Sequence, residues 1–142
     1  MQEQQQKRNS PCYCMKLRRA SAVITKFYND RLRVCDITAR QFSLLHKINE
    51  QKHCSVKELS DMAELDRSTL ARSLKPLYQQ NLVVDVKPRD ARNSRLELTP
   101  SGEDTLVRAT TLWTKAQTDV LEKLGEDGIE RLDQILGLLE TL

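Results

Sequence analysis

The hydrophobic period of this chain changes between Ser55 and Leu98, and few folds accommodate the order in which it does so. Ser55-Val56-Lys57-Glu58 is a capping box, in which hydroxyl and carboxylate satisfy each other's exposed backbone donors. It opens a short helix carrying Val56, Leu59 and Met62. Ala63-Glu64-Leu65 makes a turn, and Asp66 caps a second helix with Leu70, Leu74 and Leu77 facing inward and Tyr78 beside them. The pattern then shortens. Leu82 to Val86 is rich in β-branched residues, and Arg95-Leu96-Glu97-Leu98 alternates polar with apolar, as half-buried strands do. Between them lies the polar connection Lys87 to Ser94. Helix, turn, helix, strand, loop, strand is the order of a winged helix-turn-helix.

The flanking segments are helical. Residues 1–9 form a polar, Gln-rich tail expected to be disordered. Ser10-Pro11 reads as an N-cap followed by a first-position proline, and Leu17, Ser21, Ile24, Tyr28 and Leu32 recur at helical spacing as far as about Arg33. Thr38 caps a helix with Phe42, Leu44, Leu45 and Ile48 inward, and Glu50 to His53 reads as a polar loop. Thr99-Pro100 opens a long helix striped by Leu106, Ala109, Trp113, Ala116, Val120 and Leu124, which Gly125 stops. A last helix carries Ile129, Leu132, Ile135, Leu136, Leu139 and Leu142. The expectation is a mainly α chain of about six helices with a small β-hairpin wing. Residues 35–98 form the winged part, and residues 10–34 and 99–142 the dimerisation helices. Alone, the first helix has too little body to cover its stripe, and the last would expose an apolar strip. Pro76 falls inside the fourth helix, where it frees the carbonyl of Arg72 and predicts a kink or a weaker last turn.

Charge is distributed unevenly, although the net value is only +3. From Arg67 to Arg95 there are seven cations, namely Arg67, Arg72, Lys75, Lys87, Arg89, Arg92 and Arg95, against Asp85 and Asp90. From Thr99 to Leu142 nine acids face four bases. A basic middle and an acidic end suggest contact with a polyanion by one part and its avoidance by the other. A purely structural hairpin gives no reason for Lys87, Arg89 and Arg92 in its connection, whereas a phosphate-facing one does. Aromatic residues make up 4% of the chain, too few for a single-strand stacking platform. No run of 18 apolar residues occurs, so no membrane span is expected; with no apolar stretch behind the polar N-terminus, a cytoplasmic location is. Enzyme chemistry is disfavoured by two histidines, four glycines and the lack of a phosphate loop or Gly-x-Ser-x-Gly.

Asp66-Arg67-Ser68-Thr69-Leu70 with Leu74 and Leu77, the wing Arg89-Asp90-Ala91-Arg92 and Leu98-Thr99-Pro100-Ser101-Gly102 together resemble the multiple-antibiotic-resistance regulator (MarR) family. The similarity runs from about Cys12 to Leu142. Two features depart from the family pattern: Ala91 separates Asp90 from Arg92, and Pro76 interrupts the fourth helix. The resemblance implies a homodimer on a pseudo-palindromic duplex DNA operator, a repressor released by a small-molecule effector or by thiol oxidation. The competing reading is a winged-helix adaptor that makes protein contacts without sequence-specific DNA binding.

On the first reading, the candidates on the recognition helix are Arg67, Ser68, Thr69, Arg72, Ser73 and Lys75, with Ser68, Thr69 and Arg72 as base readers. Arg92 resembles the family's minor-groove arginine, and Asp90 would orient its guanidinium. Lys87 and Arg89 are candidate phosphate contacts, as are Ser55 and Lys57 through the third helix's N-terminus. Of the four cysteines, Cys12 and Cys14 fall in a first helical turn near Lys16, Arg18 and Arg19, a setting that favours thiolate and a redox switch. Two residues apart on a helix, they point to different sides, so a disulfide would need Cys35, Cys54 or the partner subunit. A free cysteine is also a common small core residue. Cys35 reads as core and Cys54 as an exposed loop residue. The spacing of His46, His53 and Cys54 matches no established metal site, so neither metal nor cofactor is expected.

Overall fold

The computed structural model describes residues 11–87 and 93–142. Its elements, in chain order, are α1 (Tyr13–Leu32), a 3-10 turn (Arg33–Cys35), α2 (Ala39–Gln51), α3 (Val56–Ala63), α4 (Arg67–Gln79), β1 (Val83–Asp85), β2 (Leu96–Leu98) and α5 (Pro100–Leu139). The strands pair antiparallel, with Val83 opposite Leu98 and Asp85 opposite Leu96. The fold is a winged helix-turn-helix flanked by long helices.

Side chains start four of the five described helices. Thr38, Ser55, Asp66 and Thr99 each accept a hydrogen bond from the backbone N–H three residues on. Thr38 and Gln41 form a second full capping box, which the sequence reading had credited only with its threonine. Pro100 occupies the first turn of α5, where its missing N–H is no loss. α1 differs from expectation. Its N-cap is Cys12, in extended backbone, and Ser10 lies outside the described residues. Pro11 thus lies one residue before the cap instead of one after it, a shift within the residue or two by which helix ends vary.

One further boundary moved, at the end of α2. α2 continues through Glu50 to Gln51 and stops where Lys52 takes a φ of 62°. α4 runs past Pro76 to Gln79, and the carbonyl of Arg72, deprived of its helical donor by the proline, lies in mid-helix. At Gly125 the backbone leaves the helical region (φ 73°, ψ 164°), which breaks the long C-terminal element where the sequence placed a stop. The expected fifth and sixth helices are thus the two arms of α5.

The core is centred on the winged part and takes in Leu32 of α1 and Leu106 and Ala109 of α5. Leu32, Leu44, Leu45, Ile48, Leu59, Leu70, Leu77 and Leu96 are fully buried, each stabilising the fold by about 1.5–3 kcal/mol. Cys35 is buried with them, as expected. Cys54 corrects the sequence reading: it is 2% exposed, not a surface loop residue. Its backbone exchanges hydrogen bonds with Leu96 (3.2 and 2.7 Å), which lays it beside β2 as a third strand one residue long. Burial, reinforced by Glu58, pushes its thiol pKa up to about 11.

α1 and the far arm of α5 are different. Of the α1 stripe only Leu32 is buried; Leu17 and Ile24 are exposed, as are Leu121, Leu124, Ile135, Leu136 and Leu138 on α5. The near arm of α5 is tied to α1 by an Arg31–Asp119 ion pair at 2.9 Å and by the Tyr28 hydroxyl on Gln117. No helix among the described residues is long and apolar enough to cross a membrane.

Candidate nucleic-acid interface

α4 turns its apolar side, Leu70, Leu74 and Leu77, into the core. The helical repeat therefore directs Ser68, Arg72 and Lys75 outward, and all three are exposed. Arg67 is exposed on one flank, with Thr69 and Ser73 half-buried on the other. Among the described residues, Arg67, Arg72 and Lys75 make no ion pair, so their charge is presented to solvent.

A short polar network orders the first turn of α4. Asp66 Oδ1 accepts from the Thr69 N–H at 2.7 Å and from the Ser68 hydroxyl at 2.8 Å. Arg72 Nη2 donates to Thr69 Oγ1 at 3.3 Å, which lays the guanidinium along the helix. The Thr69 backbone bond, then the two hydroxyls and the charge of Arg72, hold the Asp66 carboxyl at a pKa of about 2. The Asp66 carboxylate, on the same helix as Arg67, Arg72 and Lys75, is thereby committed to the helix N-terminus.

Ser55 stands differently from its sequence assignment. It is 7% exposed, and its hydroxyl accepts from the Glu58 N–H at 3.0 Å. The next donor, the Val56 N–H, gives its hydrogen to Ser94 Oγ at 2.8 Å. The start of α3 is therefore bonded within the protein, and Ser55 is a structural cap that docks the helix beside β2. Lys57 is exposed and pairs with Asp61 at 3.2 Å, a solvent-screened contact that a phosphate can replace.

At the base of the wing, Asp85 Oδ1 accepts from the backbone N–H groups of Lys87 and Arg95, both at 2.9 Å, and so ties the ends of the two strands together. Lys87 is exposed there. Arg89, Asp90 and Arg92, the wing-tip candidates, lie outside the described residues.

Sequence reasoning missed Arg40. This exposed residue of the first turn of α2 lines, with Thr25 and Asn29 of α1 and Thr69, Arg72 and Ser73 of α4, a polar cleft of about 430 Å³. Two guanidinium groups thus border one concavity beside the outward face of α4. The Thr38 cap places Arg40 in a first turn, but only the tertiary packing of three helices brings it to Arg72. A second cleft, of about 340 Å³, is apolar and lies between α2 and α5. The Phe42 ring forms part of it, stacked on Trp113 (centroids 5.7 Å apart) and on His46 (6.3 Å).

Cys12 and Cys14 are both exposed, whereas Cys35 and Cys54 are not. Cys14 borders an apolar groove with Tyr13, Leu17 and Leu142.

Comparison with known proteins follows the same outline. Residues 37–94 match the MarR family. The chain is 31% identical over 86 residues to the HTH-type transcriptional regulator SarZ of Staphylococcus epidermidis, an overlap of 60% of this chain and 58% of SarZ. The chain thus spans somewhat over half the length of that curated relative. Among solved structures, the M. tuberculosis transcriptional regulator MosR in complex with DNA is 31% identical, with 92% of this chain and 96% of that one covered at a TM-score of 0.75. The transcriptional repressor CouR bound to a 23-mer DNA duplex is 25% identical, with 94% and 95% covered at a TM-score of 0.80.

Proposed function

The chain belongs to the MarR family, and on that premise we propose that it is a cytoplasmic transcription regulator that binds a pseudo-palindromic duplex operator as a homodimer and acts as a repressor. The observation that carries this reading is the outward face of α4. Ser68, Arg72 and Lys75 project together from a helix whose opposite side is locked into the core, and neither cation is neutralised by an ion pair among the described residues. The likeness to MosR and CouR, each solved with DNA, supports it.

In this reading α4 enters the major groove. Ser68, Thr69 and Arg72 face the base edges, and Arg67, Ser73 and Lys75 lie toward the backbone. Lys57, Lys87 and Arg89 contribute phosphate contacts, and Arg92, oriented by Asp90, reaches the minor groove. Arg40 joins the phosphate-facing set from α2. The exposed apolar faces of α1 and the far arm of α5 pair with those of a second copy, which sets two recognition helices roughly 34–36 Å apart, one turn of DNA.

Release is assigned to two devices. The apolar, aromatic-walled cleft between α2 and α5 suits a flat organic effector and lies where the winged part meets the long helix. Cys12 and Cys14 are the thiols exposed to oxidant.

Selection of bound duplexes from a random pool, with and without oxidant, tests the reading. A two-fold symmetric motif whose binding weakens steeply with salt is expected. Binding that is absent at low salt, or indifferent to sequence, overturns it in favour of the adaptor.

A further inference from the structure

A serine hydroxyl carries one hydrogen to donate and two lone pairs to accept with, so in a DNA groove it pairs with donors and acceptors alike. Ser68 does not have that freedom. Its Oγ lies 2.8 Å from Asp66 Oδ1, and an ionised carboxylate can only accept. The serine hydrogen must therefore lie on the line to Asp66, since the reverse orientation would set lone pair against lone pair. The Thr69 N–H on the same carboxylate oxygen, at 2.7 Å, fixes Asp66 in the helix's first turn and fixes this direction with it. Ser68 is exposed on the outward side of α4, so what its oxygen offers to a ligand is a pair of acceptor sites.

We propose that Ser68 is a specificity-determining residue that reads the duplex as a hydrogen-bond acceptor, taking a base amino group, N4 of cytosine or N6 of adenine, from the major groove. The inference rests on the reading of α4 as a recognition helix. It adds a polarity that the residue type alone does not carry: Asp66, in capping the helix, also sets which kind of base edge its neighbour can recognise. Arg72, with five donors and no acceptor, reads the opposite kind of edge one turn further along.

The test uses the tightest duplex recovered from the random pool. Each adenine of a half-site is replaced in turn by purine and each cytosine by 2-pyrimidinone, which deletes only the amino group. Affinity is then measured by fluorescence anisotropy for the wild type, Ser68→Ala and Ser68→Thr. Each analogue weakens base pairing equally for all three proteins, so differences between proteins report the protein contact. At one position per half-site the wild type and Ser68→Thr should lose about five- to tenfold in affinity on amino deletion. Ser68→Ala should bind the intact duplex weaker by a similar factor and lose nothing further at that position. If wild type and Ser68→Ala respond alike to every amino deletion, the assignment fails. If Ser68→Ala is instead indifferent to a 7-deazapurine, Ser68 is a donor and the assignment also fails. In both cases selective binding by the wild type leaves the reading of the protein as a DNA-binding regulator intact; its absence overturns both.

Discussion

Gly102 packs against the backbone of Leu82 so closely that a Cβ on it would stand 2.0 Å from the Leu82 carbonyl oxygen. The same carbonyl accepts the Thr99 N–H at 3.1 Å, and the Thr99 hydroxyl donates to the carbonyl of Asn81 at 2.6 Å while accepting from the Gly102 N–H at 2.9 Å. The first turn of α5 is thereby clamped onto the entry to β1, which fixes how the long helix leaves the wing. Glycine is required by proximity here and not by its backbone angles.

Gly102→Ala is accordingly expected to destabilise the protein by about 1–3 kcal/mol, because the obstacle is backbone and cannot rotate away. Urea unfolding at one fixed protein concentration measures it. A variant as stable as the wild type would mean that α5 is not seated on Leu82 as described.

The exposed cations of α4 should separate by assay. Lys75→Ala is expected to weaken binding to all duplexes by a similar factor and to lower the slope of log affinity against log salt by about 1 per protomer. Arg72→Ala should cost about 1–3 kcal/mol and relax preference at one position of each half-site. Arg40→Ala, if its guanidinium meets phosphate, should behave as Lys75→Ala does. Salt titrations and a repeated duplex selection distinguish the two behaviours; a shared profile for Arg72→Ala and Lys75→Ala would remove the base-reading role of Arg72.

What could be read from the chain and what could not divides along the range of the interactions. The caps at Ser55, Asp66 and Thr99 were legible because a hydroxyl or carboxylate three residues before its donor is a local event. The inward sides of α2 and α4 were legible because burial follows the helical period. Cys54 was misread because its burial comes from pairing with Leu96, distant in sequence, and nothing near it encodes that bridge. Ser55 was assigned to phosphate for a similar reason: that its neighbour's N–H is taken by Ser94 is visible only after folding. Arg40 went unnoticed because a helix-turn-helix pattern starts at Ser55 and gives no sign that α2 brings a cation to α4. The polarity of Ser68 had its signal, an acid two residues before a serine, but distance and direction were needed to interpret it.

Thiol chemistry should follow burial. In the native protein, Cys12 and Cys14 are expected to react with iodoacetamide at pH 8, and Cys35 and Cys54 only after unfolding in urea. Mass spectrometry of the alkylated peptides gives the count directly. The folded pKa of Cys54, about 11, lies above the ordinary value of 9.0, so between these the unfolded chain releases a proton that the folded one keeps. Its contribution should therefore lower stability as pH rises through that interval, and Cys54→Ser should show a smaller loss there.

Asp66 gives the opposite pH signature. Its carboxyl is held at about 2, below the ordinary 3.8, so the folded state prefers the ionised form. The stabilisation is fully present above about pH 4 and disappears as the pH falls toward 2. The stability difference between wild type and Asp66→Ala should thus be flat from pH 5 to 8 and shrink below pH 4. A difference that does not change between pH 5 and pH 2 would mean that the carboxylate does not cap α4.

Assembly can be tested on the far arm of α5, where Ile135 and Leu136 are 52% and 42% exposed and Leu138 is 72% exposed. Exposed apolar side chains on this arm, together with the exposed Leu17 and Ile24 of α1, are the kind of surface that association covers. Leu136→Glu would place a charge in that cover and leave the winged core untouched, since every fully buried side chain lies elsewhere. Sedimentation of the wild type should give a dimer, and the variant should dissociate at concentrations where the wild type does not. Duplex binding by the variant should fall more steeply than its loss of helix content, because two recognition helices on one operator act through their linkage. A wild-type monomer that still selects a two-fold symmetric duplex would overturn the pairing of these faces.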